Sequence, residues 1–217
     1  MISIRETDSA AKGRENAEFL QLHISLMYVQ PEIWRRLVIP ATANFGWLHG
    51  VIQLAMGWTN SHLHHFVLGS QRISDPLPYN EDDMGAEPAL NEHKTHLHEM
   101  GLKAGQIFMY EYDFGDSWLH RITVEPVSDP KLGNPKKAVC VGGAQACPPE
   151  DCGGLPGFEN FLAAMKRPKH PEHKSMKKWY GQPFDADAFS VEETNHWLGK
   201  MRWPKTTESA LRKLILR

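Results

Sequence analysis

The sequence predicts an α+β fold: an antiparallel or mixed sheet, one early helix packed on it, and several C-terminal helices. Three observations predict it. Apolar residues recur with period two in five runs, at about 19–29, 32–39, 62–69, 106–113 and 117–126. One run between them, near 45–56, switches to helical spacing. After residue 156, amphipathic helical runs take over.

The elements follow in order. Residues 1–17 are polar, without an apolar core, and read as a flexible leader. In "EFLQLHISLMYV", Leu20, Leu22, Ile24 and Leu26 fall on one face of a strand. A short connection with Pro31 leads to "EIWRRLVI", where Ile33, Leu37 and Ile39 alternate and Pro40 closes the run. The two make a hairpin. In "TANFGWLHGVIQLAMGW", Phe45, Leu48, Val51, Ile52 and Ala55 lie at helical spacing. Thr42 or Asn44 serves as N-cap and Gly57 as the stop. "HLHHFVLGSQRI" returns to period two, and "THLHEM" reads as a further short strand. "GQIFMYEYDF" and "SWLHRITVEPV" are β-rich runs joined through Gly115–Asp116, a hairpin signal. Residues 128–157 are dense in Gly and Pro; a loop of that length is functional or braced. Three helices follow at 157–167, 170–180 and 190–201, the last with Ser190 and Glu193 as a capping box. Residues 201–217 read as a basic amphipathic extension.

Bulk properties restrict function. The 217 residues are 41% hydrophobic and 23% charged, with a net charge of −2, which fits a soluble globular chain and supplies no general attraction for nucleic acid. No run of about 18 apolar residues exists to cross a membrane. Three cysteines, an odd number, fit a reducing compartment, so the expected location is cytoplasmic. Charge is uneven. Asp75, Glu81, Asp82, Asp83, Glu87, Glu92 and Glu99 face only Lys94 in the middle, whereas residues 166–217 hold twelve Lys/Arg against six Asp/Glu. Such runs are ordinarily solvated faces; the sharper reading is a basic face for a polyanion or acidic partner.

Four groups could carry chemistry: "GWTNSHLHHF", "YEYDFGDSWLH", "CVGGAQACPPEDCGG", and Arg35–Arg36 behind Trp34. His62 and His64, at i and i+2 on a strand, point the same way and could share one ion. His120 with Asp113 or Asp116 would complete a mixed N/O shell suited to zinc or another first-row metal. Cys140, Cys147 and Cys152 are further candidate ligands, although their C-x6-C-x4-C spacing lacks the close pairs of structural zinc sites. Asp113, Asp116, His120, Glu150 and Asp151 supply the carboxylate and imidazole groups that general acid–base catalysis needs. Against this, Asp at a turn accepts from backbone N–H groups, which explains Asp113 or Asp116 without chemistry. Trp34, Trp47, Trp58 and Trp118 read as core; Trp34 alone is followed by bases, making Arg35 and Arg36 candidate nucleic-acid contacts.

The order "PEIWRRLVIP … LHGVIQLAMGWTNSHLHHF … YEYDFGDSWLHRI … ACPPEDCGGLPGF" resembles the plasmid pRiA4b ORF-3-like family over residues 18–200. The resemblance implies an α+β fold. Members occur near mobile elements, and some insertion-element passenger proteins of this type carry a resolvase-like label, so it also implies an accessory or binding module associated with mobile DNA. It supplies no active site to carry over. The residues leave two alternatives: a metal-dependent hydrolase or nuclease using His62, His64, Asp113, Asp116 and His120, or a protein-interaction module presenting the Gly/Pro loop. Candidate partners are therefore a nucleic acid or another protein, and zinc is the candidate cofactor.

Overall fold

The computed structural model describes residues 18–76, 89–134 and 136–202. The expected leader at 1–17 and most of the expected basic extension lie outside the described residues. In chain order the elements are β1 (Phe19–Leu26), β2 (Trp34–Pro40), α1 (Phe45–Met56), β3 (His64–Leu68), β4 (Gln71–Ser74), β5 (Leu90–Asn91), β6 (Ile107–Tyr112), β7 (Trp118–Glu125), β8 (Val139–Ala144), α2 (Gly154–Lys166), α3 (His173–Tyr180) and α4 (Val191–Leu198). The eight strands form one mixed sheet in the order β5-β4-β3-β6-β7-β1-β2-β8. Among the described strands only β4 and β5 pair in parallel. The fold is α+β, and the five strands read from period two all belong to the sheet.

Three details differ from the sequence reading. The run after His62 is two strands, because Gly69 takes a left-handed turn that returns β4 onto β3. "THLHEM" forms a 3-10 turn at Leu97–Met100 rather than a strand. There the Glu99 carboxylate accepts from the His96 backbone N–H at 3.0 Å, a local bond that closes the chain on itself. The Gly/Pro segment is not loop throughout: it contains strand β8, an edge strand beside β2. Its outer edge is covered by Asn195 of α4: the side-chain oxygen accepts from Cys140 N–H and the amide donates to Cys140 C=O, both at 2.8 Å.

Register decides the core. Leu22 pairs with Leu37 and Val124, Ile24 with Arg35 and Ile122, and Leu26 with His120. His120 pairs with Tyr110, which pairs with Phe66. Paired residues share a face, so all of these point to the side that carries α1. Leu22, Ile24, Leu37, Phe66, Tyr110 and Ile122 are fully buried there. The Asn44 side chain caps α1 by accepting from Trp47 N–H at 2.8 Å. Phe45 meets Phe66 edge-to-face at 5.1 Å.

The face is not wholly apolar. Arg35, at an inward position, is 3% exposed. Its Nε donates to Ala55 C=O, Nη1 to Trp34 and Ala144 C=O, and Nη2 to Gln145 C=O and Cys147 Sγ. The Phe189 ring stacks on the guanidinium at 4.3 Å. His49 of α1 is equally buried. Its Nε2–H donates to Asn60 Oδ1 (2.6 Å), while Nδ1 accepts from Tyr110 O–H (2.8 Å). Gln53 donates to the same tyrosine oxygen at 3.1 Å. Burial, with the neighbouring His64 ring, lowers the His49 pKa to about 3. Burial lowers that of His120 to about 4.

Two outcomes follow. Arg35→Met should remove the donor from four carbonyls, lowering the urea midpoint by the equivalent of about 3–5 kcal/mol at unchanged m. Second, both histidines are neutral when folded and titrate near 6.5 when unfolded. The unfolded chain therefore binds more protons between about pH 6.5 and pH 4, and stability falls as pH drops through that window. Each group contributes a slope of about 1.4 kcal/mol per pH unit. Urea midpoints measured in half-unit steps should show a shallower acid limb for His120→Leu; an unchanged slope would refute the assignment.

Candidate functional site

The loop joining β6 to β7 spans residues 113–117 and is held open by its own first residue. Asp113 has φ of 58°, a left-handed conformation that Asp tolerates better than most side chains. Its Oδ1 accepts from Gly115 N–H (2.9 Å) and Asp116 N–H (3.3 Å), which fixes the turn. Its backbone N–H donates to Leu63 C=O at 2.9 Å and so ties the turn to the entry of β3. These bonds leave Oδ2 facing the ring of His62, with 3.6 Å to Nε2.

The Gly/Pro segment is laid against this turn. Asp116 Oδ2 accepts from Gly153 N–H at 3.1 Å. A Cβ on Gly154 would stand 2.7 Å from Asp116 C=O, so only glycine permits the approach. Trp58 Nε1–H donates to Pro148 C=O at 3.0 Å. Glu150 Oε1 accepts from Thr59 N–H (2.7 Å), Thr59 Oγ1 (2.9 Å) and Tyr112 O–H (2.9 Å). The segment is thus ordered by what it touches. It delivers Asp151, itself at φ of 56°, to the same nitrogen of His62, with Oδ1 3.1 Å from Nε2.

His62, Asp113 and Asp151 each offer one ligand atom, and the three atoms lie within 4.8 Å of one another. An ion bound at about 2.0–2.2 Å to each would separate neighbouring ligand atoms by about 3.0–3.5 Å, close to what is seen. Asp113 is buried, His62 half-buried and Asp151 exposed at 72%, so the group opens to solvent on one side. Two apolar side chains flank it in sequence, Leu63 and Phe114, each 48% exposed. Glu150 contributes a further feature: its Oε2 is buried and accepts no hydrogen bond. Tyr112, donating to Glu150, is held protonated by burial and by that carboxylate.

The other candidates lie elsewhere. His64 is on β3, turned inward, with Nε2 2.7 Å from Glu92 Oε2 and its ring stacked on His49 at 3.4 Å. His62 and His64 therefore have different partners. His120 does not reach the cluster: its ring is wholly buried between Trp58 and Tyr110, 5.3 Å from each, and neither nitrogen is hydrogen-bonded. Asp116 is spent on Gly153. Among the described residues no cysteine joins a group of three ligands. Cys140 Sγ contacts Gly142 C=O, Cys147 Sγ contacts Met56 Sδ, and burial with the Asp116 carboxylate pushes the Cys152 thiol up to about 12. Arg35 is consumed inside the protein, and Arg36 pairs with Glu125 at 2.7 and 3.1 Å while stacking on Trp34. Thr59 and Tyr112 are not among the site residues the sequence suggests. Tyr112 at least stands at an inward position of "YEYDF" beside the candidate Asp113.

Among the described residues no helix is long and apolar enough to cross a membrane. Comparison with known proteins gives three concordant findings. Residues 18–193 match the model of the family described as "Plasmid pRiA4b ORF-3-like protein". The "Uncharacterized protein y4hQ" of Sinorhizobium fredii (strain NBRC 101917 / NGR234) is 33% identical over 180 residues, covering 82% of this chain and 90% of that protein. The crystal structure of MM3350, a protein of unknown function from Methanosarcina mazei Go1, superposes with a TM-score of 0.68 at 28% identity, over 81% of this chain and 96% of that one. The sequence blocks, the eight-stranded sheet and these matches agree, and the chain belongs to the plasmid pRiA4b ORF-3-like protein family.

Proposed function

We propose that this chain is a metal-dependent hydrolase centred on His62, Asp113 and Asp151. The observation that carries the reading is the convergence of one imidazole nitrogen and two carboxylate oxygens, from three separate segments, within 4.8 Å. Three protein ligands leave a coordination position for water, the arrangement of catalytic rather than structural metal sites. A bound first-row ion would lower the pKa of that water. Glu150, next to ligand Asp151 and with Oε2 accepting nothing, is the group available to take its proton. The three free thiols are compatible with a cytoplasmic setting.

A second reading rests on a different surface. Lys166, Arg167, Lys169, Lys174, Lys177 and Lys178, on α2, α3 and their connection, are all exposed, and Trp179 beside them is 48% exposed. Bases around an exposed aromatic ring suit a single-stranded nucleic acid, consistent with an accessory role at mobile DNA. This surface takes over from Arg35 and Arg36 as the candidate contact.

The two readings are separable. Zinc or manganese added to chelator-treated protein should bind at one equivalent to this centre. Asp113→Asn keeps the turn bonds and tolerates the backbone, and should weaken binding at least about tenfold, or ~1.4 kcal/mol. Glu150→Gln should bind metal and lose turnover of chromogenic phosphate or carboxylate esters. Metal affinity unchanged in Asp113→Asn would refute the first reading. For the second, Lys174→Glu with Lys178→Glu should weaken oligonucleotide binding and reduce its salt dependence; equal binding by the variant would refute it.

A further inference from the structure

We propose that Asp75, Glu92 and His93 form a second, structural cation site, which clips the exit of β4 and β5 to the first turn of α1. The site takes a divalent first-row ion, the class that a mixed imidazole and carboxylate set prefers. It shares no residue with the centre at His62 and does not depend on it.

The backbone brings the three residues together. The parallel ladder of β4 and β5 pairs Ile73 with Leu90 and Ser74 with Asn91, so Asp75 and Glu92 are the next residues along it. Glu92 N–H donates to Ser74 C=O at 3.0 Å, and Glu92 C=O accepts from Gly46 N–H at 3.2 Å. His93 is pinned at both backbone groups: its N–H donates to Asn91 Oδ1 (2.9 Å) and its C=O accepts from the Asn44 amide (2.8 Å). A Cβ at residue 46 would stand 2.5 Å from His93 Nδ1 and 3.0 Å from Glu92 Oε1. Glycine at the start of α1 makes room for these two side chains.

The side chains then present a ligand set. His93 Nε2 lies 3.2 Å from Asp75 Oδ1 and 3.7 Å from Glu92 Oε1, and the three atoms lie within 4.8 Å of one another. The same imidazole-to-carboxylate spacing, 3.1 and 3.6 Å, occurs at His62. Glu92 is the least exposed of the three, at 3% for its side chain, and its second oxygen is held by His64 Nε2 at 2.7 Å. A ligand carboxylate oriented by a histidine on its free oxygen is a common support for bound metals. Asp75 and His93 are about half exposed and close the set from the solvent side.

The fold gives such an ion something to do. β5 contributes two residue pairs to the sheet, too short a ladder to be firm by itself. An ion on Asp75 and Glu92 would lock the two strands where the ladder ends. Through Glu92 and His93 it would also fix the contact with α1.

The test uses the full chain, stripped with chelator and titrated with zinc. The unmodified protein should bind two equivalents; His93→Ala and Asp75→Asn should each bind one, and Asp113→Asn should bind one. Both altered side chains are half exposed, so folding should survive, as circular dichroism would report. Zinc at a hundredfold excess over its Kd should raise Tm by about 5–10 °C through this site. His93→Ala should lose most of that rise, and Asp113→Asn should keep it. Equal stoichiometry and equal Tm response in His93→Ala and the unmodified protein would overturn the inference. Loss of one equivalent in His93→Ala with none lost in Asp113→Asn would support it while refuting the centre at His62.

Discussion

The geometry around His62 depends on a guanidinium that never reaches solvent. Arg35 places five N–H groups against four carbonyls and one thiol sulfur. A buried charge with no such partners would cost several kcal/mol. Here the acceptors are dipoles rather than a carboxylate. One of them, Ala55 C=O, belongs to the last turn of α1, where carbonyls lack helical partners and the helix dipole is negative. Trp34 C=O belongs to β2 itself, and the remaining acceptors to β8 and the segment that follows it. Arg35 thus joins helix end, sheet edge and loop in one set of bonds. The loop that leaves this junction carries Pro148, Glu150 and Asp151, so the position of Asp151 beside His62 is anchored upstream, at Ala144, Gln145 and Cys147.

A second buried network sets the other side of the site. α1 exposes a polar stripe, His49 and Gln53, inside the core. Both reach the segment before β3: His49 holds the Asn60 side chain, and Gln53 Oε1 accepts from Asn60 N–H at 2.9 Å. Tyr112 O–H, donating to Glu150, also accepts from Ser61 N–H at 3.1 Å. Asn60 sits at φ of 52°, a conformation its neighbours over-determine. Asn60, Asp113, Ser117 and Asp151 all have left-handed backbone within this one region. Side chains of the core hold them and frame the His62 imidazole. Fixed placement of side chains, with one open side, is what the proposed metal centre would require.

Periodicity carried most of the fold. The inward row Leu20, Leu22, Ile24 and Leu26, the helix from Phe45 to Met56, and the strands on both sides of Gly115 were legible because burying one face imposes a period on a single segment. Parity also fixes which side chains face the core. Arg35 has the parity of Ile33, Leu37 and Ile39, and His120 that of Trp118, Ile122 and Val124. Taken alone, that alternation places both side chains in the core, where they are found. A charged or titratable residue in an apolar row takes its place from the row, whatever its chemistry.

What the sequence by itself determined is therefore local: strand and helix periods, the turn at Asp113, the caps at Asn44 and Ser190, and the family blocks. Only the tertiary structure decided which of the candidate groups meet. Residues 62, 113 and 151 converge because β3 pairs with β6, because the loop after β6 accepts the Gly153 N–H, and because Arg35 and Trp58 anchor the segment between β8 and α2. Each of these is a contact between residues far apart in the chain. No period or spacing encodes such a contact, since its energy depends on packing that exists only once the sheet has formed.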